Sequence, residues 1–364
     1  MWEYLYLVFF IGSFLISYFF THLFGKVAKK FNILDIPSER KLHKKPTPLL
    51  GGLGIFFSFF LVISSGIIFI RFGFFPEFIK NYIEGIYSVL PKLLVILIGG
   101  IIIVFFGLID DAYQLKPIQK LLFQIFTASF IFFSGIRITF FIQNIFISYL
   151  ITIFWIVLMM NSFNLLDNMD GLSSGVAFIT GLILFIFSVE MKQLFVATIL
   201  SVFLGSVLGF LLHNFPPAKI FMGECGSAFL GYFLGIISII LTYYRYDESK
   251  TFLPVFIPLI VFSVPFFDTI SVIFIRLKRK QPVFKGDKNH LSHRLLSLGM
   301  NQKQAILFIY LLTLTTGINA LVLKNLNIYG GIGILIEVIL IIGIAAILEF
   351  FGRRQINGKT DSGS

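Results

Sequence analysis

Two adjacent carboxylates, Asp110 and Asp111, close the apolar run IVFFGLIDDAYQL. Like charges side by side repel, and the edge of an apolar segment is a costly place to ionise both. The pair therefore points to a bound cation or to proton transfer. The plainer alternative is a charged helix edge, paired locally with Lys116, Lys120 and Gln124. Further along, NSFNLLDNMDGLSSG repeats Asn161, Asn164, Asp167 and Asp170 at every third residue, with no Lys or Arg to pair the two acids. On a helix these side chains drift slowly around one face. Carboxylates flanked by amides suit Mg²⁺ or a polar ligand better than they suit a purely structural role.

Three more clusters carry cations and glycines. DIPSERKLHKKPTPLLGGLG holds Asp35, Arg40, Lys41, His43, Lys44, Lys45 and Thr47. Most of those charges read as an ordinary basic loop. Pro46-Thr47-Pro48 ahead of Gly51-Gly52, however, makes a rigid turn just before a helix and so fixes where Lys45 points. NFPPAKIFMGECGSAFLG holds Asn214, Phe221, Glu224 and Ser227 among glycines that allow close backbone approach to a phosphate. A lone Glu at a helix start is also what the helix dipole favours. FKGDKNHLSHRLLSLG sets His290 and His293 at i, i+3, beside Lys285, Asp287, Lys288, Ser292 and Arg294. A zinc site needs more ligands than this pair, whereas Arg, Lys and His together cradle anionic oxygen.

Carboxylates for a divalent cation and cations for a diphosphate combine into phosphoryl-group chemistry. Neither a GxxxxGK[ST] loop nor a kinase signature is present. The rival class is a cation-coupled transporter, which would carry its carboxylates near mid-bilayer on broken helices. Here they fall at the ends of apolar runs.

Those runs dominate the chain. Of 364 residues, 57% are apolar and only 13% charged, with a mean hydropathy of +0.94; a soluble domain carries about 25% charged residues. The expectation is an all-α, polytopic integral membrane protein. Apolar runs near 4–24, 49–70, 93–109, 121–136, 147–160, 172–189, 194–212, 225–243, 252–275, 304–323 and 328–351 predict eleven spans. They form one domain over 1–352, followed by a disordered tail over 353–364. The N-terminus has no Lys or Arg ahead of its first run, unlike a signal peptide, and reads as a retained helix starting outside. Counted from there, the segments predicted on the cytoplasmic side hold 21 of the 29 Lys and Arg, as the positive-inside rule requires. The net charge of +11 is thus mainly topology and contact with an anionic bilayer, not a nucleic-acid footprint. One cysteine excludes a disulfide framework. Gly205 with Gly209 and Gly231 with Gly235 are close-packing spacings for helices.

Taken together, KKPTPLLGGLG, GLIDDAYQLKPIQKLLFQ, NSFNLLDNMDGL, NFPPAKIFMGECGS and DKNHLSHRLL resemble, in order and over nearly the whole chain, the polyprenyl-phosphate N-acetylhexosamine-1-phosphate transferases. The resemblance implies a helical membrane bundle with a cytoplasmic active site in the inner membrane. It implies transfer of a sugar-1-phosphate from a UDP-sugar to undecaprenyl phosphate, releasing UMP, with Mg²⁺ or Mn²⁺. By motif position, Lys45, Thr47 and Phe221 belong to the nucleotide-sugar pocket. Asp110 and Asp111 are the family's acidic pair and Lys120 its following cation. Asn164, Asp167 and Asp170 form its NxxDxxD face, and Asn214 precedes the metal-binding acid at the family's spacing. On this reading Asp167 and Glu224 hold the metal, His290 acts in catalysis, and Ser292, His293 and Arg294 bind phosphate. Two positions depart from the pattern: Glu224 stands where the family has Asp, and Ser292 interrupts its histidine run. The basic loop and span count resemble the GlcNAc-1-phosphate branch; the branch using UDP-MurNAc-pentapeptide ends in consecutive histidines. The sequence leaves the oligomeric state open, a homodimer included.

Overall fold

The computed structural model describes residues 1–37, 45–139, 142–244, 250–282 and 289–361, with side chains as far as residue 347. Arg40, Lys41, His43, Lys44, Lys285, Asp287 and Lys288 lie outside the described residues. The chain is a bundle of helices: α1 (Trp2–Lys30), α2 (Gly51–Arg71), α3 (Ile83–Tyr113), α4 (Pro117–Phe133), α5 (Ile145–Leu166), α6 (Leu172–Glu190), α7 (Leu194–Asn214), α8 (Gly223–Ile240), α9 (Ile257–Val261), α10 (Ser263–Lys278), α11 (Leu291–Ser297), α12 (Gln302–Leu323) and α13 (Ile328–Asp361). The last runs through residues expected to form a structureless tail.

Among the described residues nine helices are long and apolar enough to cross a membrane, or ten if the α9–α10 pair is one span bent by 64°. Each of the eleven apolar runs has its helix, but the count of eleven crossings is not established. Helix α4 has 17 residues, about 25 Å of rise, against a hydrocarbon core of ~30 Å. The expected span 252–275 is broken because Pro254, Pro258 and Pro265 remove backbone donors. Helix α3 begins ten residues before the expected 93, with Pro91 inside it. The polar KNYIEGIYSVLPK stretch hid those turns.

Small residues set the packing. Gly205 and Gly209 of α7 lie against Phe10, Ser13, Phe14 and Ser17 of α1, where any Cβ would strike backbone. Gly231 of α8 meets the backbone of Met159 and Met160 of α5 in the same way, and Gly235 packs tightly on the Met159 side chain. Helices α7 and α8 thereby become the most enclosed of the candidate spans, 72% and 83% buried. They anchor the loops at one end of the bundle. There the chain also forms an antiparallel pair that helical periodicity did not predict, Leu34–Asp35 (β1) with Thr47–Pro48 (β2).

Candidate active site

The first turn of α8 is the hub. Gly223 has φ +75°, and a Cβ there would lie 2.6 Å from Asp111 Oδ2, so only glycine fits. Asp111, in the last turn of α3, accepts from Glu224 N at 2.7 Å and from Cys225 N at 3.2 Å. It caps α8 from another helix, filling donors that a helix start leaves open. Its neighbour Asp110 faces elsewhere. Asp110 Oδ1 accepts from Leu115 N at 2.7 Å, closing the C-terminal turn of α3, and Oδ2 is 2.6 Å from Lys120 Nζ. Each carboxylate of the pair thus has its own donors, which offset their repulsion.

Lys120 at the start of α4 also reaches Glu224 Oε2, at 3.2 Å. The same oxygen accepts from Asn164 Nδ2 of α5 at 2.7 Å. One carboxylate therefore joins α4, α5 and α8. Asn161 holds α4 again, donating to Gln124 Oε1 at 2.7 Å.

The sequence pattern Asn161–Asp170 was expected on one helical face, but only the two asparagines are helical. Asp167 is the C-cap of α5, and Asp170 lies in the turn before α6. Asp170 Oδ2 accepts from Ala218 N at 3.0 Å. Asn214 is buried, its Oδ1 accepting from Gly171 N at 2.9 Å and its Nδ2 donating to Ile220 O at 3.0 Å. It braces the turn from behind rather than lining it. Burial, and then the negative charges of Asp111, Glu224, Asp170 and Asp35, push the Asp167 carboxyl up to about 8.

The Pro-Thr-Pro turn docks onto the loop before α8. Phe221 N donates to Pro48 O at 2.8 Å, Gly51 N to Phe221 O at 2.9 Å and Gly52 N to Met222 O at 2.8 Å. Gly52 meets Gly226 backbone so closely that a side chain would not fit. Thr47 Oγ1 donates to Lys45 O at 3.1 Å, and the Lys45 side chain is exposed. Phe221 is half-buried.

The histidine segment brings a residue that sequence reading missed. Asp268 of α10 is 1% exposed. Its Oδ2 lies 2.8 Å from His290 Nδ1, and its Oδ1 accepts from Leu291 N at 2.6 Å. One carboxylate orients the imidazole and caps α11. Arg294 is turned toward the same place, with Nη2 donating to Ser271 Oγ at 2.8 Å and 3.9 Å from Asp268 Oδ1. His293, on α11, is half-buried. A lone Asp inside SVPFFDTISVIF was the available signal, since an acid in an apolar span is costly without a partner. Ser292 Oγ donates to Asn168 Oδ1 at 2.5 Å, tying this segment to the Asp167 turn.

Among the described residues no group of three or more His, Cys, Asp or Glu side chains is placed to hold a metal ion. Mg²⁺ takes one or two protein carboxylates and completes its shell with water and substrate phosphates. The donors here are hard oxygens.

The profile of Glycosyl transferase family 4 matches residues 93–242. The "Probable undecaprenyl-phosphate N-acetylglucosaminyl 1-phosphate transferase" of Bacillus subtilis is 34% identical over 351 residues, covering 94% of this chain and 91% of that protein. The chain belongs to the polyprenyl-phosphate N-acetylhexosamine-1-phosphate transferase family. The decaprenyl-phosphate N-acetylglucosaminephosphotransferase of Mycobacterium leprae is 30% identical over 366 residues, covering 94% and 89% of the two chains. The undecaprenyl-phosphate alpha-N-acetylglucosaminyl 1-phosphate transferase of Thermotoga maritima is 27% identical over 279 residues, covering 77% and 78%. The two departures from the family pattern have structural consequences. The Glu224 carboxylate reaches both Lys120 and Asn164, and Ser292 bonds to Asn168 instead of adding an imidazole.

Proposed function

We propose that this transferase moves GlcNAc-1-phosphate from UDP-GlcNAc to undecaprenyl phosphate and releases UMP. The observation that carries the reading is the joining of five separate segments around Asp167 and Glu224. Backbone pairing brings in the Pro-Thr-Pro turn, Asp111 and Lys120 bring in α3 and α4, and Ser292 brings in the histidines. The names of the relatives favour GlcNAc over a MurNAc-pentapeptide. Asp110, Asp111, Asp167, Asp170 and Glu224 lie at helix ends and turns, which speaks against a mid-bilayer transport site.

Asp167 and Glu224 would hold Mg²⁺. Bound there, the cation draws charge off the diphosphate. An oxygen of the lipid phosphate bonds to the β-phosphorus. The bond from that phosphorus to the bridging oxygen breaks, and UMP leaves with its electron pair. No base is required, because the second pKa of a phosphate monoester is about 6. Asp110 instead holds the Lys120 ammonium, whose charge meets the incoming lipid phosphate. Beside them Ile103, Phe106 and Phe123 wall a slot of ≈ 30 Å³, an apolar edge suited to the first atoms of a polyprenyl tail. Asp268 fixes His290 so that the imidazole Nε2 is left to contact phosphate. Phe221, Lys45 and Thr47 serve the nucleotide end. The asymmetry of Lys and Arg, counted on eleven crossings, supports a cytoplasmic orientation of this site.

The test uses UDP-GlcNAc radiolabelled in the β-phosphate, purified protein and undecaprenyl phosphate. Label passing into the lipid fraction with equimolar UMP is expected. Label retained on a released nucleoside diphosphate would mean transfer of sugar alone and would end the proposal.

A further inference from the structure

A second cavity, of ≈ 220 Å³, is lined in part by Pro48 and Ile220. Its walls carry His22, Lys26, Lys29, His213 and Lys219. His22, Lys26 and Lys29 follow one another at the helical i, i+4, i+7 spacing of a single face of α1. His213 lies in the last turn of α7, 92% of its surface enclosed, with Nε2 bonded to Tyr18 O at 3.0 Å and its ring stacked on Tyr18 at a centroid distance of 4.5 Å. The His22 ring lies parallel to it, 6.2 Å away. Lys219 is anchored by its own N–H, which donates to His213 O at 2.9 Å. Two helices and one loop therefore bring three lysines and two histidines to the lining of one cavity.

The described lining contains no carboxylate, and among the described residues none of the three ammonium groups has an ion-pair partner. Three lysines and two histidines around one cavity, with no carboxylate in its described lining, make a concentration of positive charge that a bound anion would offset. The catalytic acids do not supply it, because Asp110, Asp167 and Glu224 line no part of this space. The cavity sits at the end of α1 that leads into β1, level with the last turn of an apolar helix, where a lipid headgroup would lie.

We propose that this cavity is a binding site for a phosphate-bearing anion, separate from the transferase site. Its occupant is either the headgroup of an anionic lipid or a soluble phosphate. The cavity shares a wall with the active site: Pro48 and Ile220 line it, Phe221 follows Ile220 in the chain, and Phe221 N donates to Pro48 O. An anion held by Lys219 and Lys26 thus clamps the same loop that carries Phe221.

The whole protein in neutral detergent is titrated in one arm with phosphatidylglycerol, in another with phosphatidylcholine, and in a third with inorganic phosphate. Native mass spectrometry reads bound lipid, and melting temperature reads all three. The test variant is K26Q/K29Q/K219Q. All three positions are exposed, so the fold survives. The control is K92Q/K192Q/K303Q, at exposed lysines elsewhere. Saturable binding of phosphatidylglycerol over phosphatidylcholine, weakened at least ~10-fold in the test variant and unchanged in the control, identifies a lipid headgroup. The same pattern with inorganic phosphate identifies a soluble ligand. Absence of saturable binding in both anionic arms, or equal weakening in the two variants, overturns the proposal. Since the readout is binding, it stands or falls independently of the transfer assay.

Discussion

The carboxylate of Asp111 lies 2.7 Å from the backbone nitrogen of Glu224, closing the start of α8 from the end of α3. That contact explains two adjacent acids at an apolar edge: one caps a helix, while the other holds a lysine. Asp111→Ala leaves two amides without acceptors and is expected to cost about 2 kcal/mol. Chemical denaturation in detergent measures it. Asp111→Asn, which keeps one acceptor, should lose less. Equal stability of wild type and the alanine variant would remove the cap from the account.

Lys120 bridges Asp110 and Glu224. Lys120→Met strands two largely buried carboxylates against each other, at an expected cost of about 3 kcal/mol. Lys120→Arg keeps the charge but not the geometry. Its melting temperature should fall between those of the wild type and the methionine variant, while transfer stays low.

Asp268 acts through His290. Asp268→Asn should lower kcat by about 10²-fold with little change in KM. The same substitution placed on His290→Ala should add almost nothing, because the two residues work as one unit. Additive losses would assign Asp268 a structural role at the start of α11 only.

Asp167 gives a pH signature. Its folded-state pKa is raised from 3.8 to about 8, so the folded state holds a proton that the unfolded chain has released. The stability this contributes is complete below the unfolded value and is lost as pH rises through the folded one. Metal-free protein should therefore weaken between pH 4 and 8, and Asp167→Asn should flatten that slope. Mg²⁺ added at the alkaline end should restore wild type but not the variant. A slope unchanged in the variant would place the titration elsewhere.

The fold was legible wherever apolar runs were long, as at α1, α2, α7 and α12. Reading failed where local chemistry overrode hydropathy. Prolines split α9 from α10, and polar residues concealed the first turns of α3. Asp167 and Asp170 stood out because carboxylates with no Lys or Arg nearby are poor structural devices, whereas Asp110 and Asp111 stood out as an adjacent pair at an apolar edge. Asp268 escaped because its partners, His290 and Leu291, stand 22 and 23 residues away. Asn214 and Arg294 were legible as polar but not as brace and buried cation, since burial depends on which helices close over them.

The central claim is that one site spanning five segments joins a UDP-sugar to a lipid phosphate. Its most direct measurement is UMP release from UDP-GlcNAc by purified protein, with and without undecaprenyl phosphate, in wild type and Asp167→Asn. The account predicts UMP only when the lipid and Mg²⁺ are both present, and almost none from the variant. UMP formed equally without the lipid, or undiminished in Asp167→Asn, would contradict it.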